Sequence, residues 1–173
     1  PTRLRWTAVA FIEQLRFEEA AETLGILRGF PGESTTALNL DYAFALAMIG
    51  EAASAAEILE SLPPLKKEEE KWQAALISGK TNDFSGALKR LREVGSSTPA
   101  MNRLHLESWF LANLGRTDEA IDLILDAIEE ESDRANKIRK ILLVHELSQL
   151  NGQSIPRERL QTWVTDGNSP NLE

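Results

Sequence analysis

The side chains best suited to chemistry in this chain are its two histidines, His105 and His145, because the chain contains no cysteine. A zinc site needs His, Cys or carboxylate ligands clustered at suitable spacing. His105 and Glu107 lie two positions apart, a spacing that does not bring both side chains to one face of a helix. We therefore expect no metal site and no cofactor.

A second candidate is the triplet Gly79-Lys80-Thr81, which looks like the end of a phosphate-binding loop. Such a loop requires a glycine five residues before its second glycine, and a strand before it. Ala74 occupies the glycine position, and the preceding segment has a helical pattern. The sequence also shows no Ser–His–Asp grouping of the kind used in nucleophilic catalysis. We expect no catalytic residues, and hence not an enzyme.

Composition excludes further classes of protein. The 173 residues carry a formal net charge of −8, which argues against nucleic acid as a partner. No apolar run approaches the roughly 20 residues that span a bilayer. Hydrophobic residues make up 42% of the chain, and abundant Ala, Leu and Glu favour an all-α protein. We expect a cytoplasmic location, with the periplasm as the alternative if a targeting segment precedes Pro1.

Apolar periodicity and helix breakers predict ten helices, with Ser34 or Thr35 as the N-cap of the third, Asp83 of the sixth and Ser154 of the last. The predicted helices cover residues 3–15, 16–29, 34–49, 52–62, 66–79, 84–94, 100–114, 115–131, 134–150 and 155–164. Residues 166–173 are expected to form a flexible tail. The acidic run Glu129–Glu131 ends the eighth helix, and basic residues of the ninth, including Lys140, are expected to offset it across the turn.

A small residue recurs in every second helix, at intervals of 35, 32 and 33 residues. These repeat-packing residues are Ala20, Ala55, Ala87 and Ala120. An apolar residue follows four positions later each time, at Leu24, Leu59, Leu91 and Ile124. This spacing puts the residues on one helical face, where the alanines let paired helices approach closely. Since a lone pair cannot bury that face, the pattern predicts stacked helix pairs.

The period and these positions resemble the tetratricopeptide repeat (TPR) family over residues 4–132. The resemblance is best in Gly115–Ala120, and Ala8, Ala43, Ala75 and Ser108 match the small residue expected midway along each first helix. It implies an all-α, right-handed solenoid of about four helix pairs plus C-terminal capping helices. We place one domain at residues 1–165, with repeats at 3–31, 34–63, 66–98 and 100–132 and capping helices at 134–165.

A narrower likeness rests on the segments AAEILESLP, GRTDEAIDLILDAI, RKILLVHELSQLNG and RERL. In this order they look like the C-terminal helical region of bacterial thioredoxin–TPR chaperone holdases. That resemblance implies binding of unfolded or oxidised clients and their transfer to folding chaperones. The chain itself contains no thioredoxin domain.

In the TPR family the first helices of the pairs line a concave groove. The alanine register assigns ten residues to that groove: Arg5, Val9, Ile12, Leu40, Phe44, Met48, Trp72, Leu76, His105 and Trp109. Some members of the family clamp a C-terminal carboxylate there with Lys and Asn. Because Val9 and Phe44 stand where Asn is needed, we expect no such clamp. An apolar groove instead suits a helical or unfolded protein segment.

The leading function is therefore a non-catalytic protein-interaction module of the co-chaperone or holdase type, with a protein or peptide as partner. Alternatives are a periplasmic assembly or secretion scaffold, and a regulatory domain with a small-molecule pocket. Tryptophans on helix faces, such as Trp72 and Trp109, are more often core residues than ligand anchors, and the ninth and tenth helices could fold into the groove and fill it.

Overall fold

The computed structural model describes residues 1–95 and 100–150, and these hold nine helices and no strand. The helices are α1 (Thr2–Glu13), α2 (Phe17–Arg28), α3 (Thr36–Met48), α4 (Ala52–Ser61), α5 (Glu68–Lys80), α6 (Phe84–Arg92), α7 (Ala100–Asn113), α8 (Thr117–Glu129) and α9 (Arg134–Leu150). Each was predicted from the sequence, with ends no more than two residues away. The predicted helix at 155–164, its Ser154 cap and the tail at 166–173 lie outside the described residues.

The chain divides into two compact units, Pro1–Arg103 and Leu104–Glu173, called here the first and second unit. In the first unit each helix from α1 to α6 packs against the next, and α3 also packs against α5. In the second unit α8 packs against α9. The expected all-α class, with helices packed in chain order, is confirmed. The repeat boundaries and the single domain at 1–165 stay predictions.

The turns inside the four helix pairs share one backbone conformation. Leu15, Gly50, Asn82 and Gly115 each follow the first helix of a pair and have φ of 59°, 89°, 63° and 73°. These positions recur at intervals of 35, 32 and 33 residues, the same as those between the repeat-packing alanines. The next residue's N–H donates to the carbonyl five residues back. These bonds are Arg16–Phe11 at 2.8 Å and Glu51–Leu46, Asp83–Ser78 and Arg116–Leu111 at 2.9 Å.

Small side chains are buried in both helices of every pair. The residues midway along the first helices and the repeat-packing residues of the second helices all have 0% exposure. They are Ala8, Ala43, Ala75 and Ser108 in the first helices and Ala20, Ala55, Ala87 and Ala120 in the second. Ser108 keeps its hydroxyl satisfied by donating to the His105 carbonyl at 2.9 Å. The small side chains leave little bulk between paired helices, as the sequence pattern predicts.

Two of the expected N-caps are present. The Thr35 hydroxyl accepts from the Leu38 N–H at 3.2 Å at the start of α3, so Thr35 rather than Ser34 is the cap. The Asp83 carboxylate accepts from the Gly86 N–H at 2.9 Å at the start of α6. Each cap satisfies an amide that has no partner inside its own helix.

Cationic side chains bind the carbonyl groups at the end of α6. Lys71 Nζ donates to the Glu93 carbonyl at 3.2 Å, and Arg103 Nη1 donates to the Val94 carbonyl at 2.8 Å. These carbonyls carry the partial negative charge of the helix end, which cations stabilise. The Glu68 carboxylate completes the arrangement by accepting from the Gly95 N–H. The hydrogen bond from the Gly95 backbone N–H, followed by that from the Lys71 side chain, lowers the pKa of Glu68.

The end of α8 is stabilised in the same way by Lys140, a residue that is only 8% exposed. Its Nζ donates to the Ala127 carbonyl at 2.7 Å and to Glu131 Oε2 at 3.2 Å. The backbone N–H of Asp133, followed by the Lys140 ammonium, lowers the pKa of Glu131. Lys140 thus supplies the compensation expected for the acidic end of this helix.

The shared turn conformation predicts opposite effects of substitution at two equivalent positions, Gly115 and Leu15. Gly115→Ala places a side chain on a left-handed residue and should lower the free energy of unfolding by about 1–2 kcal/mol. A Cβ there meets nothing within 4 Å, so the cost comes from the backbone alone. Leu15→Gly should be neutral or stabilising, because Leu15 already bears that strain and is 74% exposed. Urea unfolding checks both; an unchanged midpoint for Gly115→Ala would contradict the argument.

Lys140→Met should lower the free energy of unfolding by about 1–3 kcal/mol, because the Ala127 carbonyl and the Glu131 carboxylate lose their donor. Lys137→Met on the same helix is the matched control and should have little effect. Since folding lowers the pKa of Glu131, its stabilising effect is present above the ordinary glutamate value of about 4.3 and is lost as pH falls through the folded value. Thermal unfolding at several pH values should show the Glu131→Gln deficit shrinking in acid.

Candidate protein-binding surface

In the first unit the predicted groove residues lie on α1, α3 and α5, and most of them are half-buried. The half-buried side chains are Val9, Ile12, Phe44, Met48, Trp72 and Leu76. Arg5 is exposed at the start of α1. All of the half-buried members are apolar, so these helices present apolar atoms that their neighbours cover only in part.

Leu40 differs from the other predicted groove residues because its side chain has 0% exposure. It belongs to the buried core of the first unit. The reason is the position of α3, which packs against α2, α4 and α5 and is therefore covered on several sides. Leu40 supports the surface from beneath and offers no atoms to a partner.

Two of the surface residues also contribute to the interior. Ile12 and Phe44 pack against the buried core of the first unit. The Phe44 ring meets the Phe17 ring edge-on, with centroids 5.9 Å apart and planes at 81°. This is a favourable arrangement for an aromatic pair, and it holds the Phe44 ring in place. The predicted groove residues of the first unit therefore lie partly in its core and partly on its surface.

A side-chain hydrogen bond joins two of the helices that carry the predicted groove residues. Gln73 Nε2 on α5 donates to Asp41 Oδ1 on α3 at 2.9 Å, and both residues are part-buried. The bond joins residues next to Trp72 on one helix and close to Phe44 on the other. It restricts the relative movement of α3 and α5, which favours a preformed surface.

In the second unit the two predicted residues lie on α7. His105 is exposed, and Trp109 is 36% exposed. The Trp109 ring lies beside that of Phe110, with centroids 5.3 Å apart, and Phe110 is fully buried. Trp109 therefore reaches the surface of its unit while its neighbour fills the interior.

Within residues 1–95 and 100–150, no three His, Cys, Asp or Glu side chains come together to hold a metal ion. His145 is exposed, and its Nε2 lies 2.8 Å from Gln149 Nε2 one turn further along α9. Nor does any helix in these ranges combine the length and apolar character needed to cross a bilayer.

Sequence reasoning did not single out Trp6, which is 71% exposed on α1. On α1, Trp6 lies one helical turn after the charged residue Arg3 and one turn before the apolar residue Val9. Large exposed aromatic side chains are enriched where proteins meet partners. The sequence offered one signal for Trp6: it is an aromatic residue that does not share the helical face of the buried residue Ala8.

Neither a protein-family model nor a characterised protein matches the chain by sequence. A solved structure, MamA MSR-1 C2, has a similar fold, with a TM-score of 0.58 and 18% sequence identity. The match covers 87% of this chain and 97% of that chain. MamA is a TPR-containing protein. The likeness confirms the TPR-type fold that the repeat pattern predicts.

The contrast between Trp109 and Phe110 yields a prediction about stability. Phe110→Ala should lower the free energy of unfolding by about 3–5 kcal/mol, because it opens a cavity in the interior. Trp109→Ala should cost clearly less and keep the helical content, because part of the ring is already in solvent. Circular dichroism during urea unfolding measures both. Equal losses would place Trp109 in the core.

Proposed function

We propose that this TPR-type chain is a non-catalytic scaffold that binds protein segments through the apolar side chains of α1, α3 and α5. The observation that carries the proposal is the row of half-buried apolar residues on these helices. Val9, Met48, Trp72 and Leu76 are accessible enough to touch a partner and sufficiently packed to be held in place. Burying such atoms against a partner contributes about 25 cal/mol of favourable free energy per Å² of apolar surface removed from water.

The chemistry of these side chains suits partners of variable sequence. Met48 is flexible and polarisable, and Trp72 offers a large contact area at low entropic cost. The surface contains few fixed polar groups that would demand a particular partner. The net charge of −8 adds a general preference for basic segments.

The holdase activity is the sharpest form of the proposal, with unfolded segments as clients and the cytoplasm as the place of action. Its support is the sequence resemblance to thioredoxin–TPR holdases, together with the adaptable apolar surface. Exposed apolar stretches of an unfolded client would occupy the surface as helices or extended segments. Binding them would keep the client from aggregating.

The proposal is tested by light scattering from a chemically unfolded model client diluted into buffer with the full chain. The chain at several-fold excess should suppress the rise in scattering. A double variant, Val9→Asn with Met48→Gln, should weaken suppression at least about fivefold, since each change makes the surface more polar at nearly constant volume. Circular dichroism should show unchanged helical content.

The matched control is Ile26→Gln on α2, where an exposed apolar residue outside the proposed surface becomes polar. This variant should suppress aggregation as well as the unaltered chain does. If the folded chain fails to suppress aggregation, the holdase activity is refuted. If the control variant and the double variant lose activity equally, the assignment to α1, α3 and α5 is refuted.

A further inference from the structure

A cavity of about 380 Å³ lies in the first unit, bounded by the end of α4, the connection at 62–65, α5 and α6. None of the predicted groove residues lines it. Its apolar wall comes from Leu59, Leu62, Pro63, Pro64 and Leu65. The volume lies in the range typical of small-molecule sites.

Two cationic side chains, Lys71 and Arg90, line this cavity, and they differ in their hydrogen bonding. Lys71 Nζ is engaged, because it donates to Glu68 Oε1 at 3.0 Å and to the Glu93 carbonyl. Arg90 is half-buried, and its enclosed Nε donates to no acceptor in the described part of the chain. An enclosed charged donor without an acceptor loses its hydration with no compensation.

Two carboxylates also line the cavity. Glu60 and Glu93 contribute to its lining, but both residues are exposed to solvent. A hydrated carboxylate gains little from an ion pair in such a position. An anion held against the half-buried guanidinium, in contrast, would be partly withdrawn from water and would interact more strongly with it.

We propose that this cavity binds a carboxylate carried on a small apolar group, with Arg90 as the residue that recognises the charge. Arg90 lines the cavity and its Nε is itself enclosed, so binding requires the guanidinium to turn its Nε–H edge toward the ligand. Nε and a neighbouring Nη then donate to the two oxygens in a fork. The apolar body of the ligand packs against Leu59 and the prolines. Both a free organic acid and the C-terminal residue of a peptide carry this chemistry.

The test follows the Nε–H cross-peak of Arg90 in nitrogen-15-labelled full chain, assigned by its loss in Arg90→Lys. Hexanoate should shift this cross-peak saturably, whereas hexanamide at the same concentration should not. Arg90→Met should weaken hexanoate binding at least about tenfold, because both charge-assisted hydrogen bonds of the fork are lost. Lys89→Met, an exposed neighbour on α6 outside the cavity, should bind hexanoate like the unaltered chain.

A leucine-ended peptide and its C-terminal amide separate the two sources of the carboxylate. Binding of hexanoate without the peptide identifies a free acid, and binding of the peptide without its amide identifies a protein C-terminus. The proposal is overturned if neither acid moves the Arg90 cross-peak, or if folded Arg90→Met or Arg90→Lys binds both acids unchanged. Thermal unfolding confirms that each variant is folded.

Discussion

Close approach of the two helices in each pair is the constraint on which the rest of the structure depends. It requires small side chains at the contact, and the eight positions described above are fully buried. It also requires a short reversal of the chain between helices, which the left-handed turn provides. Where the turn residue is Leu15 or Asn82 instead of glycine, the same conformation is kept. The geometry is therefore imposed by packing and not only by local preference.

The side-chain period was sufficient to predict the nine described helices, and it is clearest in the amphipathic second helices. In α8, for example, Ala120, Ile124 and Ile128 are buried while Asp122 and Asp126 are exposed. A pattern of this kind identifies one buried face. The helix ends and two of the N-caps followed from the same analysis.

The first helices are harder to interpret from sequence, and α3 shows why. Its neighbours cover it on several sides, so apolar residues occur almost all round it and no single face stands out. The alignment on the repeat-packing alanines could therefore not distinguish the buried residue Leu40 from the half-buried residue Phe44. Arg90 escaped notice for another reason: its missing acceptor is a property of its surroundings in three dimensions.

The packing in chain order has a consequence for how the molecule folds. Helix contacts in the first unit join neighbours, or helices two apart as in α3 and α5. Low average sequence separation between contacting residues lowers the entropic cost of closing loops and favours fast folding. Folding can begin at any helix pair and spread to the next one. A destabilising substitution in one helix pair therefore directly affects only the pairs packed against it. The repeat array can for this reason tolerate sequence changes within any one repeat.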